Sequence, residues 1–133
     1  MRIKKIKQKV FLKSSPYEVY ETLVDSQRIS DVLKVPATVS RAITGVFSIN
    51  DGLITGTNVD LIQERKILQS WRMKDWPEGY YSTVLLLLKE VSGGTQAILF
   101  HKGIPKEKYS EVKAVWDDCW AKMKVLGEKK EVI

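Results

Sequence analysis

Few side chains of this sequence could take part directly in a chemical reaction. It contains one histidine, His101, and one cysteine, Cys119. A cysteine or serine nucleophile needs a neighbouring base, and no nucleophile-elbow motif accompanies the single histidine. Asp117 and Asp118 are adjacent, so on a helix their carboxylates would point about 100° apart, which disfavours a cooperating acid and base. The sequence therefore favours a protein with no catalytic residues.

The same two counts limit metal and redox chemistry. One cysteine cannot form an internal disulfide, and neither a cysteine cluster nor a multi-histidine metal site can be assembled. The chain also has no GxGxxG or GKS/T phosphate loop. We predict no metal and no cofactor.

The surroundings of His101 and Cys119 favour structural roles. Cys119 lies between Trp116 and Trp120 on an apolar helical stripe, where a buried small hydrophobe is favoured over a reactive thiol. His101 shares strand parity with apolar neighbours and is expected to point into the space that sheet and helix enclose. A hydrogen-bonded histidine at the edge of the core is favoured over a catalytic one.

The net charge of +6 is confined to one end of the sequence. Residues 1–13 hold six basic residues and no acid, and removing these six from the 22 basic residues leaves 16 bases against 16 acids. The lysines alternate with Ile6, Val10 and Leu12, as in a half-buried strand. No aromatic residues interleave with them for base stacking, so a solvated strand face is favoured over a nucleic-acid site.

Hydropathy predicts a protein without a membrane segment. No stretch approaches the roughly 20 apolar residues that cross a bilayer, and the amino end does not show the apolar core of a signal peptide. We expect a cytoplasmic protein.

The order of elements predicts an α+β fold in a single domain over residues 1–133. After the first strand, Ser15-Pro16 with Glu18 is typical of a helix start, and the apolar stripe of this helix is predicted to be Tyr17, Tyr20, Leu23 and Val24. A second helix is predicted from Ser26 to Leu33. Strands separated by glycine-containing turns at residues 50–52, 77–79 and 92–94 follow. Beyond Pro105, apolar residues three and four apart predict one long helix.

A stretch of 40 residues carries a family resemblance. Residues 45–84, "GVFSINDGLITGTNVDLIQERKILQSWRMKDWPEGYYSTV", contain the segments Asp51-Gly52, Ile54-Thr55-Gly56, Gln69-Ser70-Trp71-Arg72, Trp76-Pro77-Glu78-Gly79 and Tyr81-Ser82. Thr95, the segment 101–105, Trp116 and Trp120 continue the pattern. With these motifs the sequence resembles the activator of heat-shock protein 90 ATPase homologue family of the START-like (SRPBCC) helix-grip superfamily.

The resemblance implies a curved antiparallel sheet of about seven strands wrapped around a long carboxy-terminal helix. It is to the carboxy-terminal type of domain in the two-domain co-chaperone. The amino-terminal domain, which carries most of the ATPase stimulation in that family, has no counterpart in these residues. The resemblance therefore implies weak stimulation or none.

In a helix-grip fold the inward-facing residues of the sheet would surround a cavity. Trp71 shares parity with Gln69 and Met73 and should face the interior, with Trp76 at the mouth. These tryptophans are read mostly as scaffold, with an aromatic-lined pocket as the alternative, in which Gln69 and His101 supply polar groups. The predicted cavity residues are Gln69, Trp71, Met73, Trp76, Val84, Leu86, Leu99, His101, Trp116 and Trp120.

A second candidate site lies on the opposite face of the sheet. Leu85 and Leu87 lie on the outer face of their strand, where alternation predicts polar residues. The outward-facing residues of the two neighbouring strands are also apolar. The predicted interface residues are Leu68, Leu85, Leu87, Ile98 and Phe100. Two copies could pair through this face as a homodimer, or the amino-terminal strand or a loop could cover it.

Three functions are compatible with the sequence. The favoured one is a non-enzymatic module that binds a small hydrophobic ligand in its cavity or a protein partner on its surface. The second is a stress-response role as a co-chaperone of heat-shock protein 90, as the resemblance implies. The third, an enzyme of the cyclase or hydratase type, is weakest because no acid or base residues can be named for it.

Overall fold

A computed structural model describes the backbone of residues 1–131 and the side chains of residues 1–128. The elements follow the predicted order of one strand, two helices, six strands and one long helix. They are β1 (Ile3–Leu12), α1 (Pro16–Val24), α2 (Ser26–Leu33), β2 (Ala37–Val39), β3 (Val46–Ile49), β4 (Ile54–Ile62), β5 (Lys66–Met73), β6 (Ser82–Val91), β7 (Gly94–Pro105) and α3 (Tyr109–Glu131). A short 3₁₀ helix, Lys106–Lys108, joins β7 to α3.

The two short helices are positioned by side-chain caps. The Oγ of Ser15 accepts the backbone N–H of Glu18 at 3.2 Å, and Pro16 begins α1 as the sequence predicts. Asp25 caps α2 in the same way by accepting the N–H of Arg28 at 2.9 Å. These caps place α2 directly after α1 with only Asp25 between them.

The seven strands form one antiparallel sheet in the order β1-β7-β6-β5-β4-β3-β2. The connection between β3 and β4 is the tight turn expected at Asn50, Asp51 and Gly52, which all have positive φ. A turn between β4 and β5 was not predicted; it is closed by the N–H of Arg65 donating to the carbonyl of Ile62 at 2.9 Å. It lacks glycine, which explains why the sequence did not indicate it.

The core lies between the concave face of the sheet and α3. The helix buries five of the six residues of the stripe predicted for it, Val112, Trp116, Cys119, Trp120 and Met123. The sixth, Leu126, is only partly buried. The described residues form one sheet and one hydrophobic core, whereas residues 132 and 133 of the predicted domain lie outside the described residues. Within the described part of the chain, no helix combines the length and apolar character that a membrane crossing requires.

Candidate ligand cavity

A cavity of about 200 Å³ lies between the concave face of the sheet, α2 and α3. Most of its wall is apolar. The floor comes from β3 to β6, α3 forms one side and α2 with its following loop forms the other. The lining residues are Leu23, Ile29, Leu33, Val35, Val39, Phe47, Ile49, Asn50, Leu53, Ile54, Ile67, Gln69, Trp71, Val84, Leu86, Val115, Trp116, Asp118, Cys119 and Lys122.

Five of the ten residues proposed from sequence line this cavity. They are Gln69, Trp71, Val84, Leu86 and Trp116. The other five, Met73, Trp76, Leu99, His101 and Trp120, are buried but do not line it.

Aromatic packing explains why part of the predicted set is outside the cavity. The ring of Trp71 lies 5.7 Å from that of Trp76 and 4.7 Å from that of His101, measured between centroids. Trp76, predicted at the mouth, is only 4% exposed and also packs on Tyr80 at 6.1 Å. These rings fill the end of the interior that lies next to Trp76 and His101. The open space therefore lies at the opposite end of the interior, beside α2.

Most of the wall opposite the predicted residues comes from the first half of the chain. Ile29 and Leu33 lie four residues apart on α2, and Phe47 and Ile49 lie two apart on β3. Residues four apart on a helix, or two apart on a strand, lie on the same face, so the sequence identifies one apolar face on α2 and one on β3. No local signal shows that these two faces meet around the same space.

His101 is the centre of a buried hydrogen-bonded chain. Its side chain is 0% exposed. The indole N–H of Trp116 donates to Nδ1 of His101 at 2.9 Å, and Nε2 lies 2.7 Å from the Oγ of Ser82. The Ser82 hydroxyl donates in turn to the carbonyl of Trp71 at 2.7 Å.

These hydrogen bonds determine the protonation state of the imidazole. Since Nδ1 accepts from Trp116 and the Ser82 proton points to Trp71, the hydrogen of the neutral ring must lie on Nε2 and point to Ser82. Burial lowers the pKa of His101 from 6.5 to about 3. Both nitrogens are therefore engaged in the folded protein, and neither is free to act as a base.

Cys119 lines the cavity, but its chemistry is that of a buried apolar group. Its side chain is 7% exposed, and no disulfide partner exists. Burial, reinforced by the carboxylate of Asp118, raises the pKa of its thiol from 9.0 to about 12. The thiol is therefore protonated at neutral pH and is a poor nucleophile.

Charged groups of α3 lie beside the cavity but are paired. Lys122 forms an ion pair with Asp118 at 2.9 Å and donates to the carbonyl of Leu33 at 3.0 Å. The second bond ties α3 to the end of α2. Among the described residues, no group of three or more histidine, cysteine or acidic side chains could hold a metal ion.

The five predicted interface residues lie together on the convex face of the sheet. Leu85 is directly opposite both Leu68 and Phe100, and Leu87 is opposite Ile98. All five are partly exposed. β1 lies beside β7 in the sheet and not across this face, although the ammonium of Lys7 sits 5.4 Å from the centroid of the Phe100 ring.

Lysines surround this apolar group. The strand pairing places five lysines on the same face of the sheet as the apolar group. They are Lys7, Lys9, Lys66, Lys89 and Lys102. Lys66 is paired with Asp60 at 3.0 Å. Two copies meeting through this face would bring like charges together, which opposes association at low ionic strength. The homodimer stays a prediction.

Comparison with known proteins places the chain in a family. A family model described as "Activator of Hsp90 ATPase homolog 1-like protein" matches residues 13–128. The human "Activator of 90 kDa heat shock protein ATPase homolog 1" is 30% identical over 112 residues, covering 84% of this chain and 33% of the human protein. The chain thus spans about a third of the length of the curated relatives it matches.

Solved structures share the fold. An HSP90 activator from Plasmodium falciparum superposes with a TM-score of 0.73 and 25% identity, covering 76% of this chain and 74% of that one. The Aha1 dimer from Colwellia psychrerythraea shares the fold, with a TM-score of 0.78 and 14% identity over 91% of this chain and 93% of that one. The resemblance seen in residues 45–84 is confirmed, and the chain belongs to the family of Activator of Hsp90 ATPase homolog 1-like proteins.

Proposed function

We propose that the protein binds a small hydrophobic molecule in the cavity between the sheet, α2 and α3. The observation that carries the proposal is the apolar wall around about 200 Å³ of space. Such concave, mostly apolar sites with few polar groups are typical of small-molecule binding. An apolar cavity of about 150 Å³ can hold benzene, so one or two fused rings, or a chain of similar volume, match the space.

The groups around the cavity support binding without turnover. Both nitrogens of His101 are engaged by Trp116 and Ser82, and the thiol of Cys119 is protonated at neutral pH. Asp118 is occupied by its ion pair with Lys122. Because none of these acid, base or nucleophile candidates is free among the described residues beside the cavity, the cyclase or hydratase alternative gains no support.

We expect an aromatic probe such as naphthalene to bind saturably and to quench tryptophan fluorescence, because the indoles of Trp71 and Trp116 form part of the wall. Val84→Phe adds a ring to the floor and should weaken binding by about 10-fold or more. The control is Leu87→Phe, which puts the same side chain on the opposite face of the same strand. Thermal unfolding of both variants checks that they remain folded.

Two results would contradict this proposal. One is a wild-type protein that shows no saturable binding of naphthalene, indole or a medium-chain alcohol. The other is a pair of folded variants, Val84→Phe and Leu87→Phe, that bind as tightly as the wild type.

A second candidate function is supported by the family. Curated relatives from human, mouse and Dictyostelium discoideum are named as activators of the 90 kDa heat shock protein ATPase, and the human one matches over 84% of this chain. We propose action on heat-shock protein 90 as the alternative. A cytoplasmic location, suited to either function, also stays a prediction.

The alternative is tested by adding the purified protein to heat-shock protein 90 and measuring ATP hydrolysis. We expect little or no stimulation, because the chain corresponds to only about a third of the activators' length. The two-domain activator serves as the positive control. Stimulation as strong as that of the control at equal concentration would make this the leading function.

A further inference from the structure

We infer that the amide oxygen of Gln69 makes the cavity selective for neutral hydrophobic molecules that carry a hydrogen-bond donor, such as phenols, indoles and alcohols. The inference rests on the proposed function and specifies its ligand class. It follows from a relay of hydrogen bonds that begins outside the cavity, at the loop between β2 and β3.

The residue that bonds this loop is Asn58 on β4, whose side chain is 1% exposed. Its Nδ2 lies 2.8 Å from the carbonyl oxygen of Ser40 and 3.2 Å from that of Ala42. Carbonyl oxygens can only accept, so the amide nitrogen, and not the oxygen, must face this loop. The Oδ1 of Asn58 is consequently turned toward its other neighbour, Gln69.

Gln69 is held in one orientation by this oxygen. It stands directly opposite Asn58 in the β4–β5 register, and its Nε2 donates to Oδ1 of Asn58 at 3.1 Å. A reversed Gln69 amide would place two acceptor oxygens against each other. The Oε1 of Gln69 is therefore the remaining end of the amide, and among the described residues it has no hydrogen-bond partner.

The neighbours of Gln69 on its own strand and on the next strand are apolar. Its cross-strand neighbour on β6 is Val84, and the residues two positions away on β5 are Ile67 and Trp71. All three line the cavity together with Gln69. A ligand that fills the cavity excludes water from Gln69, and an acceptor left without a donor then carries its full desolvation penalty.

This arrangement discriminates between ligand classes. A hydroxyl or N–H on the ligand would satisfy the oxygen, whereas a hydrocarbon of the same shape would leave it unpaired. An ionised carboxylate brings only acceptors, so it cannot satisfy the Oε1 of Gln69 and would be repelled by this oxygen. Lys122 lines the cavity but is already paired with Asp118, so fatty acids are disfavoured relative to alcohols and phenols.

The test compares two probes of nearly equal shape, 2-naphthol and 2-methylnaphthalene, on the wild type and on Gln69→Met. Methionine keeps the length of the side chain but removes the strong acceptor. Comparing the ratio of the two dissociation constants between the wild type and the variant cancels the difference in general hydrophobicity between the probes. We expect this ratio to favour 2-naphthol by about 10-fold more in the wild type than in the variant.

A measurement on the wild type alone protects the test against a variant that does not fold. The side-chain carbonyl carbon of Gln69 should shift in the NMR spectrum when 2-naphthol is added, and much less with 2-methylnaphthalene. Equal ratios in the wild type and Gln69→Met, or equal shifts with both probes, overturn the selectivity while leaving the cavity function intact. If neither probe binds the wild type, the proposed function fails and the inference falls with it.

Discussion

Replacement of Gly56 by alanine is expected to lower the free energy of unfolding by about 3 kcal/mol or more. A Cβ at this position would lie 1.9 Å from the carbonyl oxygen of Ser70 and 2.5 Å from the ring of Phe47. Ser70 contributes a backbone atom of the adjacent strand β5, so it cannot rotate away. The clash must therefore separate two strands that form the floor of the cavity.

The control for this variant is Gly79→Ala. Gly79 has φ of +76°, but no atom lies within 4 Å of the added Cβ. Its substitution should cost only the backbone penalty of a left-handed residue, about 1 kcal/mol. Urea or guanidinium unfolding of both variants measures the difference. A Gly56→Ala protein as stable as Gly79→Ala would show that β4 and β5 do not approach as closely as described.

The second large effect is a loss of stability with acidification that originates at His101. The pKa of this histidine is about 3 in the folded protein and near 6.5 in the unfolded chain, so the unfolded chain binds the proton first as the pH falls. Stability is complete above pH 6.5 and decreases toward pH 3, by up to about 1.4 kcal/mol per pH unit. Between pH 7 and pH 5 the total loss should approach about 2 kcal/mol.

The two carboxyls whose pKa values are lowered, Asp75 and Asp117, titrate outside this window. Hydrogen bonds from Lys108 to Asp75, and from Lys113 and Gln8 to Asp117, lower the pKa of both carboxyls from 3.8. Their contribution to stability is likewise lost as the pH falls, but only below about pH 4. Because the sequence contains a single histidine, the interval from pH 7 to pH 5 reports mainly on His101.

Denaturant unfolding at pH 7 and pH 5, together with an NMR titration of the single histidine, measures this effect. His101→Gln can still accept from Trp116 and donate to Ser82, but it cannot gain a proton, so its stability should depend much less on pH over this range. His101→Leu leaves the indole N–H of Trp116 unpaired and should cost about 1 to 3 kcal/mol at pH 7. A histidine resonance that titrates near pH 6.5 in the folded protein would contradict the buried hydrogen-bonded chain.

Local sequence signals were sufficient for the elements and their order. The serine cap with Pro16 predicted the start of α1, and the apolar stripe through Trp116 and Trp120 predicted the buried face of α3. Alternation also placed His101 and Trp71 on the inward face of the sheet, where both are buried. One local prediction was wrong: Tyr17, assigned to the apolar stripe of α1, is 47% exposed.

The sequence by itself determined which face of each strand and helix turns inward, because a period of two or of about 3.6 residues is a local property of the backbone. It could not determine how that interior is divided between filled and open space. Rings from β5, β7 and α3 fill one end, while α2 and β3 close the cavity at the other. The orientation of the Gln69 amide likewise depends on carbonyls 27 and 29 residues earlier in the chain, at Ala42 and Ser40. Such long-range contacts exist only once the sheet has formed, so the tertiary structure alone decided where a ligand could lie and which polar atom it would meet.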